Sequence, residues 1–195
     1  MKSTSVQYGF LLAALTLAAF FIVYFFFSGF NYYRISVYIN VFGLTFLYAL
    51  FAVVLLVMMS RTKKMNFADF FQNSFGTMFL GGTISFLCIA LFLNYVDTDA
   101  QALLVHQRNE EYLTSWETEY RSNKNPDAET TARYQAGIES FNSDEVKNEK
   151  VFAVRYYFFL LGAIYSFYLV ISLFLAIFFR SRNKTNANIS NHTPA

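Results

Sequence analysis

Charge is scarce in this chain. Only 14% of its residues are Asp, Glu, Lys or Arg, against roughly 25% in an ordinary soluble domain. With 55% of residues hydrophobic, a water-facing surface all round is hard to assemble, whereas a lipid-facing one needs no charge. A single cysteine, Cys88, excludes an intramolecular disulfide framework. Chemical motifs are missing too. There is no glycine-rich phosphate loop, no cysteine pair, no HExxH and no Ser/His/Asp arrangement. His106 and Glu110 have the i, i+4 spacing of two metal ligands, but no second histidine and no cysteine accompanies them in residues 96–150. The expectation is a non-enzymatic protein with no metal and no cofactor.

What is present is apolar length. A membrane-spanning helix needs about 20 mostly apolar residues. Four segments meet this, at about 8–30, 35–59, 67–95 and 151–179. The first resembles a signal peptide at LLAALTLAAFF, but its apolar run continues through FIVYFFFSGF, beyond the roughly 7–15 residues of a signal core. It is read as a retained span. The third and fourth carry one charge each, Asp69 and Arg155, both near the start of the span.

Charge is also segregated. Residues 96–150 hold 12 acids and 6 bases, a net −6, while the rest of the chain has nine bases and one acid, Asp69. This argues for two compartments rather than nucleic-acid binding. Lys2, Arg61, Lys63, Lys64, Arg180, Arg182 and Lys184 fall on one side of a four-span threading; of the short loops, only the one holding Arg34 falls on the other. Cations favour the cytoplasmic side, so both termini are expected inside and residues 96–150 outside. Arg61, Lys63, Lys64, Arg180, Arg182 and Lys184 then act as topology anchors. Asn31–Arg34 would form the outer turn, its aromatic rings at headgroup level.

The 96–150 segment is polar but patterned. Val105, Tyr112, Leu113, Trp116 and Tyr120 share one helical face. RSNKNPDAE breaks the pattern, with Asn125 as the expected cap of a second helix. The third span is expected to continue outward and return through the fourth as a helical hairpin, with a flat layout on the membrane as the alternative. The tail, residues 183–195, is small and polar and reads as disordered.

Among candidate functional residues, Arg155 is an intramembrane cation that can snorkel to headgroups or pair with an acid such as Asp97. Asp69 is expected to serve as a helix-start acid, with Asn66 as the cap. Tyr112, Trp116 and Tyr120 are the aromatic anchors expected to bind a partner. Gly81-x-x-x-Ser85, Gly162-x-x-x-Ser166 and Ala14-x-x-x-Ala18 let helices approach closely, within the bundle or in a homo-oligomer.

The order of features, carried by KKMNFADFFQNSFGTMFLGGTISFL and by VFAVRYYFFLLGAIYSFYLVISLFLAIFFRSR, resembles an uncharacterised family of small four-span inner-membrane proteins of Bacteroidota-type bacteria, a domain-of-unknown-function family. The resemblance implies architecture and an inner-membrane location, and brings no functional residues. The sequence is therefore read as an all-α integral membrane protein: three spans in 1–95, an extracytoplasmic helical insert at 96–150, a fourth span in 151–182 and a tail. Its expected role is interaction or scaffolding, with the lipid bilayer and a protein partner for the insert. A small transporter or transport accessory is the second reading.

Overall fold

The computed structural model describes the backbone of residues 3–29, 31–62, 64–123, 126–143 and 154–190, and side chains within these except residue 3 and residues 154–157 and 181–190. Every regular element in the described residues is helical: α1 (Ser3–Phe27), α2 (Tyr32–Thr62), α3 (Phe67–Val96), α4 (Thr98–Ser122), α5 (Ala128–Asn142) and α6 (Val154–Ser190). Four helical stretches are long and apolar enough to cross a membrane: Thr4–Phe27, Tyr32–Thr62, Phe67–Val96 and Phe158–Arg180. Their number, length and apolarity are compatible with a membrane protein, in which lipid leaves backbone groups no partner but the helix itself. The backbone of α6 stays helical to Ser190, past the point where a disordered tail was expected; no Gly or Pro occurs between Gly162 and Pro194 to break it. The side chains of Lys63, Arg155, Arg182 and Lys184, and the expected cap Asn125, lie outside the described residues.

α3 is the central helix, with half of its most apolar window buried against 22% for each of the other spans. α1 runs parallel to it, from Ser5 beside Asn73 to Phe21 beside Phe92. α6 runs antiparallel, with Phe179 against Phe70 and Tyr168 against Gly82. Without a hydrophobic force between helices in lipid, close contact and hydrogen bonds must hold them together. Two glycines permit that contact. A Cβ on Gly81 would lie 3.0 Å from the Gly9 carbonyl oxygen on α1, and one on Gly82 would lie 2.5 Å from the Tyr168 hydroxyl. The small face of α3 is thus used inside the bundle. Gly162 on α6 has open space around it.

Asn66 and Asp69 start α3 as expected. The Asn66 side chain accepts the Asp69 N–H at 2.8 Å, and the Asp69 carboxylate accepts the Asn66 N–H at 3.2 Å. The next turns of α3 turn part of their polar side into the bundle. Asn73 is 4% exposed and Gly76 is buried. Asn73 accepts the Ser5 hydroxyl at 2.5 Å, and Thr77 donates to the Ser5 carbonyl at 3.1 Å. α1 approaches this face through Ser5 and Gly9.

Mid-bundle, the Thr16 and Tyr48 hydroxyls lie 3.1 Å apart and Tyr48 lies 3.3 Å from the Ser85 hydroxyl. Tyr48 stacks on Tyr168, and Thr83 meets the Tyr165 hydroxyl at 2.8 Å. These contacts join all four spanning helices.

Candidate functional site

The segment between α3 and α6 is not a simple outward extension of the third span. α3 widens into a π-helical turn at Phe92–Val96, and the backbone breaks at Asp97 (φ −133°, ψ 85°). Asp97 then caps α4, accepting the Ala100 N–H at 2.9 Å. Its other carboxylate oxygen accepts the Tyr24 hydroxyl of α1. One acid therefore joins the ends of α1 and α3 to the start of α4. The Tyr24 hydroxyl first, and the Ala100 N–H second, hold the Asp97 carboxyl below its ordinary value.

The first three turns of α4 dock on the α1–α2 connection. Ala100, Gln101, Leu104, Val105, Gln107 and Asn109 are buried, and Ala100 and Leu104 join Val23, Tyr32 and Leu93 in one apolar cluster. Tyr32 begins α2 and is fully buried, so it is not the headgroup-level ring that Asn31–Arg34 was expected to present. Gln107 is the main polar clamp. The first N–H groups of a helix lack intrahelical acceptors, and Asn31 makes no side-chain cap. The Gln107 side-chain oxygen accepts the Tyr33 N–H at 2.8 Å, while its amide donates to the Gly29 carbonyl at 2.6 Å. Helix α2 is thus capped from another helix. Arg34 adds an ion pair with Glu111 at 3.0 Å.

Beyond this dock, α4 and α5 form a hairpin. Asp127, not Asn125, is the described cap of α5, accepting the Thr130 N–H at 2.7 Å; its carboxyl is held below the usual range by its bonds to Thr130. Tyr120 stacks on Tyr134 at 4.2 Å between ring centres, and Trp116 meets Phe141 edge-on at 5.4 Å. A Cβ on Gly137 would strike the Trp116 ring, so this glycine gives the indole its place. The three aromatic residues singled out from the sequence therefore line one face of α4 and are partly spent on Phe141 and Tyr134 of α5. Tyr112 is still 47% and Trp116 40% exposed. Asp69 lies at the opposite end of α3, away from this hairpin, and is engaged in its capping box.

A family model described as a protein of unknown function, DUF4199, matches residues 7–181. The chain belongs to the DUF4199 family. The match covers all four spans and the α4–α5 hairpin of this DUF4199 protein, so the hairpin is part of what the family model describes rather than an appendage to it. No curated protein and no solved structure matches the chain.

Sequence reasoning missed Gln107 and the capping role of Asp97. Gln107 shows no signal in the sequence, because its partners lie 74 and 78 residues away. Asp97 had a local one. It is an acid directly after an apolar run and three residues before Ala100, which is the spacing of a helix cap.

Proposed function

We propose that this protein is a membrane-held docking module without catalytic activity, whose α4–α5 hairpin recognises a protein partner. The observation that carries the reading is the division of α4. Its first half is clamped to the bundle through Asp97, Gln107 and the buried apolar cluster. Its second half leaves Tyr112 and Trp116 exposed on a hairpin stiffened by aromatic contacts. A rigid base with exposed amphipathic rings is the arrangement that gives large contact area at low entropic cost. The module would sit in a bacterial inner membrane with both termini in the cytoplasm and the hairpin outside. The exposed cations Arg61, Lys64 and Arg180 lie at the far end of the bundle from the hairpin, as the positive-inside rule asks.

The test is site-specific photo-crosslinking in native membranes from position 112. A single adduct of fixed mass, lost in Trp116→Ala, is the expected result. Adducts no stronger than those from lipid-facing Phe46 would overturn the reading. The transport reading draws less support. Ser5, Asn73, Thr16, Tyr48, Ser85 and Thr83 bond to one another or to backbone carbonyls, which serves helix packing rather than a polar path.

A further inference from the structure

We propose that the junction of α1, α2, α3 and α4 binds a primary ammonium group, with Asp97 as its counter-ion. This inference is independent of the hairpin's partner.

The floor of the junction is Tyr32. Its hydroxyl is fully buried and has no hydrogen-bond partner among the described residues. Such an orphan is costly unless something polar meets it. It lies within electrostatic reach of both the Tyr24 hydroxyl and the Asp97 carboxylate. Asp97 and Tyr24 are half-buried and form the outer lip. The Asp97 carboxylate accepts from the Tyr24 hydroxyl and from the Ala100 and Asp99 N–H groups, and with about four acceptor sites it keeps lone-pair capacity. No described cation forms an ion pair with Asp97. Among the described residues the junction therefore offers one carboxylate without an ion-pair partner and three oxygen-bearing side chains.

That donor set selects the ligand. A single carboxylate with two phenols is too poor in oxygens and charge for calcium, which takes 6–8 oxygen ligands. A primary ammonium brings one positive charge and three N–H donors, which suits one carboxylate and two hydroxyls. The walls are aromatic. Phe20, Phe21 and Tyr24 each meet Phe92 edge-on, with ring centres 5.8, 5.3 and 5.2 Å apart, and aromatic faces attract organic cations. The junction lies where the apolar spans end, at the depth of lipid headgroups. The ammonium can come from an ethanolamine lipid or from a free amine.

The test uses the full chain in nanodiscs of phosphatidylglycerol alone, of phosphatidylglycerol with phosphatidylethanolamine, and of phosphatidylglycerol with added ethanolamine. Thermal unfolding is read for the wild type, Asp97→Asn and Tyr32→Phe. Asn caps helices about as well as Asp and still accepts from Tyr24, so Asp97→Asn folds while losing the charge. The proposal expects an amine-dependent rise in the wild-type midpoint. Half-saturation by ethanolamine should weaken about 10- to 100-fold in Asp97→Asn, the loss of one charge-assisted bond. Tyr32→Phe should lose part of the rise, yet be no less stable than wild type without amine, because the substitution deletes an orphan hydroxyl. A rise with the lipid only assigns the headgroup as ligand, and a rise with ethanolamine only assigns a free amine. An equal rise in Asp97→Asn, an equal rise with sodium chloride at matched concentration, or no rise with either amine overturns the proposal.

Discussion

Replacing Gln107 with alanine should release α4 from the bundle while leaving the spans intact. Gln107 is 8% exposed and makes two bonds across the dock, at 2.6 Å to the Gly29 carbonyl and 2.8 Å from the Tyr33 N–H. Each such bond is worth about 1 kcal/mol net. Gly29 is exposed, so its carbonyl recovers water when the amide is gone. The Tyr33 N–H sits in the first turn of α2, beside the fully buried Tyr32, and has no second acceptor from a cap. The combined loss is about 2 kcal/mol, which corresponds to about 30-fold faster local opening. Amide hydrogen exchange of the protein in nanodiscs reads this directly. Exchange should accelerate across residues 29–33 and 98–110 and stay unchanged in the core of α3. Gln135→Ala, at an exposed position on α5, is the control and should change nothing. Acceleration of less than about threefold in Gln107→Ala would refute the claim that this side chain clamps the insert.

Three further outcomes follow from the packing and the caps. Gly82→Ala should lower the unfolding midpoint in detergent, by an overpacking cost of about 1–3 kcal/mol, because its Cβ meets the Tyr168 hydroxyl at 2.5 Å and ring at 2.7–3.0 Å; Gly162→Ala, with nothing within 4 Å, should be close to neutral. Asn66→Ala removes one half of a reciprocal cap and should cost about 1 kcal/mol, seen as faster exchange confined to the first turn of α3. Acid should loosen the dock, since the Asp97 carboxyl is held below 3.8 by Tyr24 and the Ala100 N–H. A lowered carboxyl contributes stability that is complete above the unfolded value and disappears as pH falls through the folded one. Protection of α4 should therefore hold from neutral pH to about 4 and weaken below it, and Asp97→Asn should remove that dependence.

The legible parts of the fold are those written in local chemistry. Apolar length disclosed the four spans, and Asn66 three residues before Asp69 disclosed the start of α3, as the reciprocal bonds bear out. The errors lie where a distant chain supplies a partner. Tyr32 reads as an interfacial aromatic until α4 folds over it. The hairpin aromatics were visible as a helical face, but their stacking on Tyr134 and Phe141 required the turn near Pro126 to bring α5 back. The break at Asp97 was obscured because the apolar run of α3 leads straight into a helix-forming segment; the cap on Ala100 was legible locally, whereas the bond from Tyr24 was not.

The threading itself can be tested by labelling single cysteines placed at Thr62 and Ser122 in a Cys88→Ser background. Both positions are exposed and lie on either side of α3. In intact cells a membrane-impermeant maleimide should label Ser122→Cys, and should reach Thr62→Cys only after lysis. Equal labelling of both from outside, or of neither, would contradict a bundle that holds its hairpin on the face opposite its cations.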